Sequence, residues 1–90
     1  MTTKTDIEGP RPEAAAILSR VARRVRDRRA SLQWTAKELA ARSGISPRFV
    51  SDLEAGRGNI SIGRLASVAL ALGVDVGRLV EEEPRPEVPD

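Results

Sequence analysis

Apolar positions along this chain recur at the spacing of helices, with no sustained period-two alternation that would mark a strand. Ile17, Val21 and Val25, with Leu18 and Ala22, form a stripe that predicts a first helix over 12–30. Pro12 suits its first turn and Glu13 complements its N-terminus. Four later helix starts share one device, a capping residue with an apolar neighbour before it and another apolar residue four positions after the cap. The sets are Trp34-Thr35…Leu39, Ile45-Ser46…Val50, Ile60-Ser61…Leu65 and Val74-Asp75…Leu79. Each reads as a hydrophobic staple around an N-cap, and Glu38 completes a capping box with Thr35. Helices are therefore expected at 36–43, 47–55, 62–72 and 76–82, with Gly44, Gly56 and Gly73 at their C-terminal caps. The expected fold is all-α, a compact five-helix bundle with no internal repeat.

Residues 35–54, TAKELAARSGISPRFVSDLE, carry the functional signal. Two short amphipathic segments flank Gly44-Ile45-Ser46. Leu39 and Ala40 share one face of the first, Val50 and Leu53 one face of the second. Ala40 is small where a second helix must cross closely, Gly44 tolerates the left-handed backbone that stops a helix, and Ser46 can cap the next. Helix, tight glycine turn, helix is the arrangement that lays a second helix in the DNA major groove.

Composition narrows the alternatives. Only Trp34 and Phe49 are aromatic, so Leu, Val, Ile and Ala must build the core. There is no cysteine for a disulfide or thiolate chemistry, and no histidine as metal ligand or neutral-pH base. With no Gly-rich phosphate loop either, no enzyme, metal or cofactor is expected. No apolar run is long enough to span a membrane and MTTKTDIEGP has no signal-peptide core, so a cytoplasmic protein is expected. The net charge of +2 hides an uneven layout: residues 1–80 hold 14 Lys/Arg against 8 Asp/Glu, and residues 81–90 one against five. A basic body suits a polyanion. Thirteen of the 15 basic residues are Arg, which favours bidentate phosphate or guanine contacts and equally fits a GC-rich genome. Residues 1–11 are expected to be a flexible arm, 12–82 the domain, and 83–90, with Pro84, Pro86 and Pro89 among acids, a disordered tail.

These residues bring the chain to a known family. From Arg26-x-x-Arg29 through Trp34-Thr35, Glu38-Leu39-Ala40, Ser43-Gly44-Ile45-Ser46 and Leu53-Glu54-x-Gly56 it resembles the Cro/CI-type (XRE-type) helix-turn-helix domain of phage repressors and bacterial regulators. The match continues through Asn59-x-Ser61, Leu65 and Ala69-x-Ala71-Leu72-Gly73-Val74 to Leu79, roughly residues 17–80. The resemblance implies a lambda-repressor-like fold with the helix-turn-helix at the second and third helices. It also implies an ion pair between Arg29 and Glu54. Two positions depart from the pattern: Ala36 stands where a phosphate-contacting Gln is common, with Lys37 adjacent, and Pro47 stands where a polar base reader is common. The stretch LEAGRGNIS is similar to regulators of aromatic-compound catabolism in which this domain precedes a shikimate-kinase-like sensor domain. The chain is thus either a stand-alone regulator or a DNA-binding fragment.

Direct readout is expected from Arg48, Ser51 and Asp52. Arg48 has guanine O6/N7 as its bidentate target, against the plainer readings of phosphate contact or a solvated helix arginine. Asp52 accepts from cytosine or orients Arg48 as an i,i+4 pair. DNA-backbone contacts are assigned to Thr35, Lys37, Arg42, Phe49, Arg57, Asn59 and Ser61. The alternatives are partial core burial for Phe49 and local capping for Asn59 and Ser61. The arginines of the first helix (20, 23, 24, 26, 28) read mostly as a solvated face, and Trp34 as a core residue. The leading expectation is a repressor acting as a homodimer on a pseudo-palindromic double-stranded DNA site. Its dimer interface is expected on the fourth and fifth helices, including Val76, Leu79 and Val80, or alternatively at Ala14-Ala15-Ala16. The competing reading is an antitoxin-like protein–protein module. Under these readings a toxin or a missing sensor domain is the protein partner to look for.

Overall fold

The structure, a computed structural model, describes residues 11–82; the expected tail at 83–90 and all but Arg11 of the expected arm lie outside them. Among the described residues five helices follow one another: α1 Pro12–Ser31, α2 Ala36–Ser43, α3 Pro47–Glu54, α4 Ile62–Leu72 and α5 Val76–Val80. Each lies within two residues of its expected bounds, and no strand occurs among the described residues.

Local chemistry explains these boundaries. The Thr35 hydroxyl accepts the Glu38 N–H at 3.0 Å while the Thr35 N–H donates to Glu38 Oε1 at 2.7 Å. Ser46 and Ser61 accept from Phe49 N–H and Arg64 N–H in the same way. Asp75 occupies the N-cap position of α5, but its side chain makes no capping hydrogen bond, contrary to the expected device. At the other end of α2, Gly44 takes the left-handed conformation (φ 69°), and Ile45 N–H reaches back to Ala40 O at 3.1 Å. This six-to-one bond closes the helix. The same bond runs from Arg57 to Asp52 and from Val74 to Ala69, after Gly56 and Gly73. Gln33 plays the glycine's part after α1, at φ 61°, with Trp34 N–H bonded to Arg29 O at 3.2 Å. No sequence signal marked that turn.

The core gathers Val21 and Val25 of α1, Leu39 and Ala40 of α2, and Val50 and Leu53 of α3. Leu65, Val68, Ala69 and Leu72 of α4 and Leu79 of α5 complete it. Both members of every staple set belong to this cluster, the first of each partly buried and the second buried. Ile17, at the N-terminal end of the α1 stripe, is instead exposed. Helix α2 packs on α3 and α4, and α1 packs on α3 and α5. The α2–α3 pair is thereby held from behind, with the outer face of α3 left open.

The arginines of α1 do more than cover a solvated face. Arg26 Nη1 donates to Glu54 O at the end of α3, and Arg28 Nε to Leu72 O at the end of α4. Arg20 Nη1 reaches Val80 O, and Arg24 Nη1 reaches Arg78 O and Glu81 O, at the end of α5. The last carbonyls of a helix lack intrahelical donors and carry its negative dipole end, so guanidinium groups satisfy both needs. One basic helix thus closes three others.

Candidate nucleic-acid interface

Helix α3 exposes its N-terminal turn because Val50 and Leu53 turn its other face into the core. Ser46 is engaged as the cap and Pro47 has no side-chain donor. Arg48 is consequently the first long donor on the open face. Ser51 is exposed one turn further on. Asp52 lies beside Arg48, with its Oδ2 3.7 Å from Arg48 Nε. Its other oxygen, Oδ1, accepts from Arg57 Nη2 at 3.2 Å. The sequence assigns Arg57 to phosphate contact, and the fold adds its tie to Asp52. Five residues apart, the two meet because the chain turns back at Gly56.

The remaining expected contacts sit around this face with varied freedom. Lys37 and Asn59 are exposed. The Thr35 and Ser61 hydroxyls accept capping hydrogen bonds but keep a proton to donate. Arg42 lies over the Trp34 ring, 4.3 Å from its centroid, a cation–π contact that anchors it to its own helix start. Phe49 is half-buried against the core, and the Arg64 guanidinium stands 5.6 Å above its ring. Arg64 was missed in the sequence. A signal existed: a cation in the first turn of a helix opposes the dipole, and α4 has no acidic residue there to balance it.

Behind the interface, Arg29 and Glu54 join α1 to the end of α3. Arg29 Nε donates to Glu54 Oε2 at 2.6 Å and Nη2 to Oε1 at 2.9 Å, a bidentate pair. Arg29 Nη1 also donates to Trp34 O at 2.8 Å. Hydrogen bonding to Glu54 and its charge outweigh desolvation and raise the Arg29 pKa above the ordinary guanidinium value. The helix that carries Arg48 is therefore fixed at its far end.

The expected dimer surface on α4 and α5 requires correction at Leu79. Leu79 is buried, because α5 folds back and packs it against the core. Among the described residues the exposed large apolar side chains are Ile17 on α1 and, on the outer side of α4, Ile62 at 70% and Leu70 at 82%, with Ala66 exposed between them. Among the described residues no group of three or more His, Cys, Asp or Glu is placed to hold a metal, and no helix is long and apolar enough to cross a membrane.

Known proteins share this arrangement. The structure is similar to a hypothetical transcription factor, NHTF, from Neisseria, with 29% identity, a TM-score of 0.70, and 81% of this chain and 84% of that one covered. It is also similar to ClgR, a clp gene regulator from C. glutamicum, with 38% identity, a TM-score of 0.63 and coverage of 70% and 82%. A comparison with curated proteins gives no match. The helix-turn-helix pattern HTH_3 matches residues 25–79, more than half of the chain. With α2 and α3 packed across a left-handed glycine turn and the outer face of α3 open, the chain belongs to the XRE-type helix-turn-helix family of DNA-binding transcriptional regulators.

Proposed function

We propose that the protein is a sequence-specific repressor that binds double-stranded DNA as a homodimer. The observation that carries this reading is Arg48: an unburied arginine on the open face of the second helix of the motif, preceded by a proline that cannot compete for the same base edge. Ser51 completes the base-reading set, and Asp52 serves it by orienting Arg48. Thr35, Lys37, Arg57, Asn59 and Ser61 supply backbone contacts that fix the register, and Phe49 with Arg64 above it lies against the sugar–phosphate edge. Arg42, held over Trp34, joins the backbone set through the N–H groups at its guanidinium edge.

A single recognition helix buries too little surface to specify a site, so two copies on half-sites about one helical turn apart are required. The outer face of α4 supports such pairing. Its exposed positions, Ile62, Gly63, Ala66 and Leu70, are uncharged apart from Arg64 at the edge. A helix apolar on both sides is built to be covered on both. The same face also fits a foreign protein such as a toxin, and mass measurement separates the two.

Selection of bound sequences from random duplex DNA tests the proposal. A two-fold-related consensus with one G·C pair per half-site that loses its preference under Arg48→Ala supports it. A bidentate arginine–guanine contact carries about 1–3 kcal/mol of discrimination. Equal weakening of selected and scrambled duplexes by Arg48→Ala overturns base reading, and a strictly monomeric complex overturns the dimer.

A further inference from the structure

We propose that Asp52 sets the specificity of the interface by holding Arg48 and Arg57 with one carboxylate, suppressing binding to DNA of the wrong sequence. The inference rests on the DNA-binding reading above.

Each oxygen of Asp52 takes a different arginine: Oδ2 faces Arg48 Nε at 3.7 Å and Oδ1 meets Arg57 Nη2 at 3.2 Å. The side chains of Arg48 and Arg57 are 88% and 65% exposed, and that of Asp52 only 36%. The arginines are free to swing toward a ligand, whereas the carboxylate is comparatively fixed. Main-chain geometry reinforces this, since Arg57 N–H is bonded to Asp52 O at 2.9 Å.

The two arginines meet different targets. Asp52 touches Arg48 through Nε, which leaves both Nη groups to reach guanine O6 and N7 while Asp52 still orients the guanidinium. Arg57 is held through Nη2, one of its terminal nitrogens, and must exchange or share that contact to meet a phosphate. On the right sequence the carboxylate repels the polyanion but positions the base reader, and these effects offset. On the wrong sequence there is no guanine to read and only repulsion is left. Asp52 is thus a positioning residue that costs affinity where Arg48 finds no partner.

The test compares the full chain with Asp52→Asn and Asp52→Glu by fluorescence anisotropy, using selected and scrambled duplexes between 50 and 200 mM salt. Asp52→Asn should bind the scrambled duplex about three- to tenfold more tightly at low salt, as removal of one charge a few ångströms from phosphates implies. Its salt dependence should steepen by about 0.9 in log–log slope. The selected duplex should gain less or lose, and Asp52→Glu, which keeps the charge, should restore wild-type discrimination. Unchanged scrambled affinity, or equal tightening on both duplexes, overturns the proposal. Loss confined to a single C·G pair makes Asp52 a base reader instead and also overturns it.

Melting curves check that each variant folds, and the side-chain Nε–Hε resonances of the free protein give a DNA-independent readout. Asp52→Asn should shift both the Arg48 and Arg57 signals, and an unmoved Arg57 signal refutes the shared carboxylate. Failure of the wild-type chain to bind any duplex would remove the functional reading and the specificity role together. Wild-type binding without the Asp52→Asn effect would remove only the latter.

Discussion

Breaking the Arg29–Glu54 pair should cost a large share of the protein's stability. The side chains are only 21% and 11% exposed, so removing either partner leaves the other charge largely cut off from water. A fully buried pair broken on one side costs about 3–5 kcal/mol, and an exposed one under about 1 kcal/mol. Arg29→Met loses two charge-assisted hydrogen bonds to Glu54 and a third to the Trp34 carbonyl, placing it at about 3–4 kcal/mol. Glu54→Gln keeps the shape and one acceptor, and should cost about 2 kcal/mol. A domain of this size has about 5–10 kcal/mol in total, so Arg29→Met should lower the melting temperature by about 12 °C or more. Urea melts of both single variants and the double variant measure this. The double variant should be more stable than the sum predicts by at least about 1 kcal/mol, because the second change relieves the stranded charge. Because the pair is shielded, the deficit should survive salt of about 0.5 M. Strict additivity, or single losses under about 1 kcal/mol, would refute the reasoning.

Arg24→Ala should release the end of α5 from α1, increasing amide hydrogen exchange in 76–81 while leaving α2 and α3 protected; uniform acceleration would show that α5 is not a separate unit. Thr35→Ala removes the acceptor for Glu38 N–H and should cost about 1 kcal/mol by denaturant melt. Stability and DNA affinity should be nearly flat between pH 6.5 and 8.5 at fixed ionic strength, since the chain contains no His, Cys or Tyr. The raised pKa of Arg29 does not alter this: its contribution is complete below the unfolded guanidinium value and lost only as pH rises through the still higher folded one. A several-fold change in affinity across that interval would contradict the expectation.

What the sequence determined by itself is the set of interactions within a helix and its caps that span four residues or fewer. Thr35 with Glu38, Ser46 with Phe49, and Gly44 with Ala40 each complete a helix end using neighbours in the chain, so the helix boundaries were legible without a fold. Arg48 was legible for the same reason, as the first long side chain after a cap and a proline. Tertiary structure alone decided where distant groups meet. The α1 arginines look like a solvated face in the sequence, and only folding brings the ends of α3, α4 and α5, 28 to 60 residues away, within their reach. Helix α4 carries apolar residues on two sides, and periodicity cannot rank them; packing placed Leu65 and Leu72 inside and left Leu70 out. Leu79 changed from expected interface to core once α5 folded against α1. Arg57 stands beyond the end of α3, where helical spacing no longer says which side chains meet. The turn at Gly56 brought it to Asp52. Local hydrogen-bond chemistry wrote the helices, and long-range packing assigned their faces.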